Sequence, residues 1–349
     1  MKNGRHGHGI QPARSATVVA AAVCVLCTGF VRGSAPGPRI LLVYDMEGIS
    51  GIDTASMVVW PGHAYEEGQR LLAADVNAVV DGLFRGGASD VAVVDYHGSG
   101  IPGDQNLPPD SLDRRARLLD VHRPWFTQGQ WDAVALVGMH AAGGSGGFLA
   151  HTFSPGGVRM VNGVLWSETD NWAHGAADLK HIPVIFVSGD DVLHQHVREV
   201  LPWVVYVEVK RTLRPSRAEL YDESRVLTAL REGATRAVGR LDEARLPPPF
   251  ATPVTVTFRA TPPTTLLPLF DAHLPDYEGK LQVDSDSVVS ITIVRDSVGF
   301  PFRDLSGVIG LAHRLGVQMI RASRIADNDS AVNRIMEEQG YAYESRVRH

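Results

Sequence analysis

Cysteine is nearly missing from this chain of 349 residues: there are two, Cys24 and Cys27, both close to the amino terminus. The body of the protein therefore has no thiol, which excludes a disulfide framework, a cysteine nucleophile and a thiolate metal site there. Any metal must be held by histidine and carboxylate, a hard or borderline donor set. Positive charge is also in short supply. Lys and Arg number 33 against 39 Asp and Glu, a formal net charge of -6. No basic cluster forms, so a nucleic-acid partner has no electrostatic footing. There is no internal repeat and no low-complexity tract, and one apolar run alone is long. Hydrophobic content of 44% and charged content of 21% are ordinary for a globular protein. The length can bury one large core or two smaller ones.

The long apolar run, Ala16 to Val31, follows Lys2, Arg5 and Arg14 and precedes Gly33-Ser34-Ala35, a small-residue cleavage site. That is the layout of a secretory signal peptide. Arg32 interrupts it, and the run is long for a signal core, so an uncleaved membrane anchor is the second reading. Residues 1–35 are expected to be a signal peptide or amino-terminal anchor. Export, periplasmic or secreted, follows from either, and membrane contact only if the segment stays attached. Val23 precedes Cys24 and Leu26 precedes Cys27, so neither cysteine has the small neighbour of a lipoprotein site.

Ile40 to Tyr44 is short and continuously apolar, as a buried parallel strand is, and runs into Asp45. A helix is predicted over about 65–84, with Leu71, Leu72, Val76, Val79, Val80 and Leu83 on one stripe and Gly86-Gly87 as its stop. Val91 to Val94 runs into Asp95-Tyr96-His97-Gly98, Ala133 to Val137 into Gly138-Met139-His140, and Pro183 to Val187 into Gly189-Asp190-Asp191. Apolar strands that each end in polar residues, with helices between, predict a three-layer α/β/α fold on a mostly parallel sheet, with its site beyond the carboxyl ends of the strands. Asn162-Gly163 between two short apolar arms predicts a hairpin leading to Ser167-Glu168 and a helix around 172–179. The catalytic domain is expected over 38–245. After the break at Pro247-Pro248-Pro249, strands at 254–258 and 288–294 and a helix at 302–315 predict a smaller α+β domain over 250–320, followed by a polar tail, 321–349.

Asp45, His97 and His140 each lie at or just past a strand end, Glu47 follows Asp45 by two, and Glu168 follows the hairpin. Two histidines and three carboxylates match the needs of two divalent ions ~3.5–4 Å apart. Zinc suits that set best, with manganese or cobalt also open. Each residue also has an ordinary reading: an aspartate after a strand is often a helix cap, and a histidine there is often a hydrogen-bonded loop residue. Composition and spacing leave the two readings level.

Asp45-Met46-Glu47-Gly48-Ile49-Ser50-Gly51, Asp95-Tyr96-His97-Gly98, Gly138-Met139-His140-Ala141 and His151-Thr152 resemble the successive motifs of the DppA-type D-aminopeptidases. The likeness runs on through Asn162-Gly163, Glu168 and Gly189-Asp190-Asp191 to Lys210, so it spans Ile40 to Lys210 in unbroken order. Each motif is short, but their order and spacing together are specific. The resemblance implies a zinc peptidase assembling into a ring-shaped homo-oligomer, with two Zn2+ per subunit held by Asp45, Glu47, His97, His140 and Glu168. It implies that His151 is a catalytic histidine beside the metal pair, and that the substrate is a short peptide with an amino-terminal D-residue. Asp190, Asp191 and Lys210 carry less, since a helix cap and a surface lysine explain them nearly as well. Tyr96 stands where the family has a smaller residue and Ser167 where it has glycine, and the family's members begin at the first strand with no export signal. The rival functions are another amidase or esterase on the same metal pair and a peptide-binding protein without turnover. The glycines at 143, 144, 146 and 147 lack a nucleotide-binding spacing and are expected to form a loop near the site.

Overall fold

Ile40–Tyr44 is wholly buried and forms β1 (Arg39–Tyr44). The structure, a computed structural model, describes Met1 and residues 36–153, 158–250, 253–259, 279–285 and 288–293. The expected signal segment, the 302–315 helix and the polar tail lie outside the described residues. After β1 come α1 (Tyr65–Arg85), β2 (Asp90–Asp95), the short β3 (Arg117–Leu118) and β4 (Ala133–Met139). The hairpin β5 (Val158–Val161) and β6 (Val164–Leu165) then leads into α2 (Glu168–Lys180). Next are β7 (Val184–Asp190), α3 (Asp191–Val200), β8 (Val205–Arg214), β9 (Arg217–Leu220) and α4 (Glu223–Gly239).

The main sheet has the order β3-β2-β1-β4-β7-β8-β9. Its pairs are parallel except β8–β9. Its strands feed two separate cores because successive side chains leave a strand on opposite faces. Ile40, Leu42 and Tyr44, with Ala133, Ala135 and Val137, pack under α1 and α4. Leu41 and Val43, with Val134 and Leu136, pack under α2 and α3. This is the three-layer α/β/α fold. Each fully buried Leu, Ile or Val contributes about 1.5–3 kcal/mol, which explains why runs buried on both faces read as unbroken apolar strings.

A second, antiparallel sheet has the order β11-β12-β10-β5-β6, with β10 (Val254–Arg259), β11 (Gly279–Ser285) and β12 (Val288–Ile293). The hairpin turns through Asn162 and Gly163 at φ 51° and 81°, the left-handed pair of a tight hairpin turn. The Asn162 N–H donates to Thr255 O and its Oδ1 accepts from Thr255 N, both at 2.8 Å. The second sheet thus draws β5 and β6 from ahead of residues 247–249 and three strands from beyond them. Among the described residues no helix is long and apolar enough to cross a membrane.

Candidate metal centre

β1 lies between β2 and β4; α1 carries the chain from β1 to β2 on one side, and the later strand β4 lies on the other, and beyond the carboxyl ends of strands at such a switch point is where open α/β sheets bind ligands. Asp45 follows β1, His97 lies two residues past β2 and His140 one past β4. Two glycines let the backbone close there. The Gly48 N–H donates to Gly138 O at 2.8 Å, and a Cβ on Gly48 would stand 1.9 Å from Met139 O. Gly138 has φ +71°, and its Cβ would stand 2.3 Å from Asp45 O. Gly48→Ala is therefore expected to cost at least about 2 kcal/mol, as large backbone clashes do, and chemical denaturation will measure it.

Asp45 stands at the middle of the site. Its Oδ1 is 2.7 Å from His97 Nδ1 and its Oδ2 is 3.3 Å from His140 Nε2. Glu47 Oε2 lies 3.1 Å from the same His97 Nδ1. Glu168, the first residue of α2, places Oε1 at 3.8 Å from both His140 Nε2 and His151 Nε2 and accepts from the Phe153 N–H at 2.7 Å. The His151 ring stacks on that of His140, centroids 4.1 Å apart. The donors form two groups, Asp45 with Glu47 and His97, and His140 with His151 and Glu168, and within each the ligand atoms lie within 4.8 Å of one another. All five expected ligands and His151 come together. His151 stands close enough to join the second group, where the family resemblance implies a place beside it.

The three imidazoles share one arrangement. His97 Nε2 is 2.7 Å from Val58 O, His140 Nδ1 is 3.0 Å from Ala141 O and His151 Nδ1 is 2.9 Å from Leu149 O. A carbonyl only accepts, so these nitrogens carry the proton and the opposite ring nitrogens turn toward the carboxylates. Metal-ligating histidines are oriented by such a bond on the far nitrogen. A neutral imidazole would then face a carboxylate with its lone pair, a repulsive contact that a cation between them turns into coordination. The donor set fits zinc on those grounds. Without a cation, protons must take that place. Burial works against a charged His97 and His140, yet the carboxylates hold His97 well above its usual range and Asp45 raises His140 to about 10. Burial lifts Glu168 to about 7, while burial and the neighbouring His140 lower His151 to about 4.

The remaining motifs brace this centre. Asp95 Oδ1 accepts the His97 N–H at 2.9 Å, and its Oδ2 accepts the Tyr44 hydroxyl and the Asn106 N–H at 2.5 Å each. Ser167 caps α2 in a reciprocal pair with Asp170, so the departure from glycine strengthens the helix start that presents Glu168. Tyr96 packs edge-on against Trp172, centroids 5.3 Å apart. Asp190 is the helix cap that its sequence position allows, accepting from Leu193 N at 2.8 Å, and it also accepts from Phe148 N at 3.0 Å, ahead of His151. Asp191 Oδ1 accepts from Thr212 N at 2.7 Å. Lys210 corrects the surface-lysine reading: it is fully buried, because Glu47 O and Ile52 O satisfy its ammonium. Asp75 carries no sequence signal, yet it is buried on α1 and bonded to Ser50 through both carboxylate oxygens.

Known proteins resemble this chain in sequence and in fold. A D-aminopeptidase of Bacillus subtilis (strain 168) is 26% identical over 224 residues, covering 60% of this chain and 78% of the relative. A solved structure described as a Zn-dependent D-aminopeptidase DppA from Bacillus subtilis, a self-compartmentalizing protease, superposes with a TM-score of 0.64 at 20% identity, covering 81% of this chain and 97% of that one. The latter likeness speaks to the fold. The family model described as D-aminopeptidase matches residues 39–269, well over half of the sequence, and the chain therefore belongs to the D-aminopeptidase family of metallo-aminopeptidases.

Proposed function

We propose that this protein is an exported, zinc-dependent aminopeptidase that releases the amino-terminal residue, a D-amino acid, from short peptides. The observation that carries the reading is the common orientation of His97, His140 and His151: each gives one ring nitrogen to a backbone carbonyl and turns the other to buried carboxylates. Two zinc ions per subunit suit the two donor groups. Asp45, Glu47 and His97 would hold one ion and His140 and Glu168 the other, with Asp45 placed near both groups. When bound, such a pair supplies a water acidified toward neutrality and a polarised scissile carbonyl. His151 Nε2 takes a proton from the attacking water and returns it to the leaving amine, a transfer for which imidazole is suited. The relative's name supports the choice of D-residues. The structural relative's description as self-compartmentalizing supports a homo-oligomer, for which a ring is our reading. The amino-terminal segment supports export.

A panel of L- and D-aminoacyl peptides tests the reading. The zinc-loaded protein is expected to release free amino acid from D-aminoacyl substrates, and release from none of the panel overturns the assignment. Chelation is a second test. The protein is expected to melt at a lower temperature when stripped and to recover on adding zinc, because a ligand held only by the native state stabilises that state.

A further inference from the structure

The proposed chemistry makes no use of two buried, ionisable side chains that grip the segment carrying Asp45 and Glu47. Lys210 comes from β8 and Asp75 from α1, and both are fully buried. The Lys210 ammonium donates to Glu47 O at 2.6 Å and to Ile52 O at 2.7 Å, and sits 4.7 Å from the centre of the Phe148 ring. Asp75 accepts from Ser50 N at 2.8 Å and from Ser50 Oγ at 2.6 Å. Residues 47, 50 and 52 are thus all fastened from outside the segment. A buried cation is costly unless its donors are satisfied, and a pair of apolar residues would fill this space with less desolvation. Together the two side chains make four hydrogen bonds to one short loop, and that loop presents Glu47 to the first donor group.

We propose that Lys210 and Asp75 are positioning residues that lock the 47–52 loop so that Glu47 meets His97 at metal-binding distance. Neither touches the reacting atoms. This inference rests on the metal-site reading, and its experiment separates the two.

Zinc titration of metal-stripped wild type, Lys210→Met and Ser50→Ala, by calorimetry or a competing chelator, is the test. Wild type is expected to bind two ions. Lys210→Met, which keeps the side chain's bulk and removes its donors, is expected to weaken one binding step by about 10–100-fold, the usual loss when support behind a ligand is removed, and to leave the other step nearly unchanged. Substituting cobalt is expected to alter one of the two visible absorption signatures. Ser50→Ala leaves both buried charges in place, carries the test if Lys210→Met does not fold, and is expected to weaken the same step several-fold. Wild type that takes up no zinc overturns the metal-site reading and this inference with it. Wild type binding two ions, with a folded variant matching it at both steps or losing both equally, overturns this inference alone.

Discussion

His151→Ala is expected to keep both zinc ions and to lose about 10²–10⁴ of kcat, the range for removing a general acid–base. Two facts shape that expectation. The His151 Nε2 is turned to Glu168 at 3.8 Å, while its Nδ1 is engaged with Leu149 O, so one nitrogen faces the site and the ring cannot swivel without losing a bond. The five other donors make two groups with Asp45 between them, so the proposed assignment gives metal a full ligand set without His151. Zinc content and steady-state kinetics on one preparation check both halves. A fall in kcat with little change in KM identifies an interaction made in the transition state. If His151→Ala instead loses one ion, His151 is a ligand of the second group, which its 4.1 Å stacking on His140 would also allow. Full activity would remove it from the chemistry.

His97→Ala carries the second large effect. His97 Nδ1 lies 2.7 Å from Asp45 and 3.1 Å from Glu47, so the variant takes the shared nitrogen away from two buried carboxylates. The first ion's affinity is expected to fall by more than the 10–100-fold typical of outer supports, since the proposed assignment makes His97 a ligand itself. Activity should vanish at ordinary zinc concentrations. The metal-free variant should also be less stable than metal-free wild type, because breaking a buried charged cluster leaves uncompensated charge. Equilibrium dialysis and thermal melting of stripped and loaded protein give both numbers.

Much of the fold is legible in the sequence. The strands β1, β2, β4 and β7 lie within about three residues of their apolar runs, because strands buried on both faces have no polar side to blur the pattern. The Asn162-Gly163 turn and the α1 stripe are equally plain. Strand β8 is not among the predicted elements, although Val205, Val207 and Val209 alternate with Tyr206, Glu208 and Lys210. Lys210 reads as a solvent residue until its partners are known, and they lie 163 and 158 positions away. Helix α4 is not among them either, yet it has Asp222 as its cap and Val226, Leu230, Ala234 and Val238 on one stripe.

The site divides the same way. Its side chains stand out by their ordered places at strand ends, and the family resemblance raises them above caps and loop residues. What holds them is silent. Val58 O, Ala141 O and Leu149 O orient the three imidazoles, and every residue has a carbonyl, so composition cannot mark the ones that matter. Gly48 shows the intermediate case. In the sequence it is one glycine of a motif, and its task in the fold is to let the backbone lie against Met139 O, where no Cβ fits.

The metal content of the purified protein, measured by plasma spectrometry after loading with zinc and removing the excess, tests the central claim most directly. The donor geometry predicts close to two zinc ions per chain, falling to about one in His97→Ala. A wild-type chain that retains no zinc, while remaining folded and cleaving peptides, would contradict it.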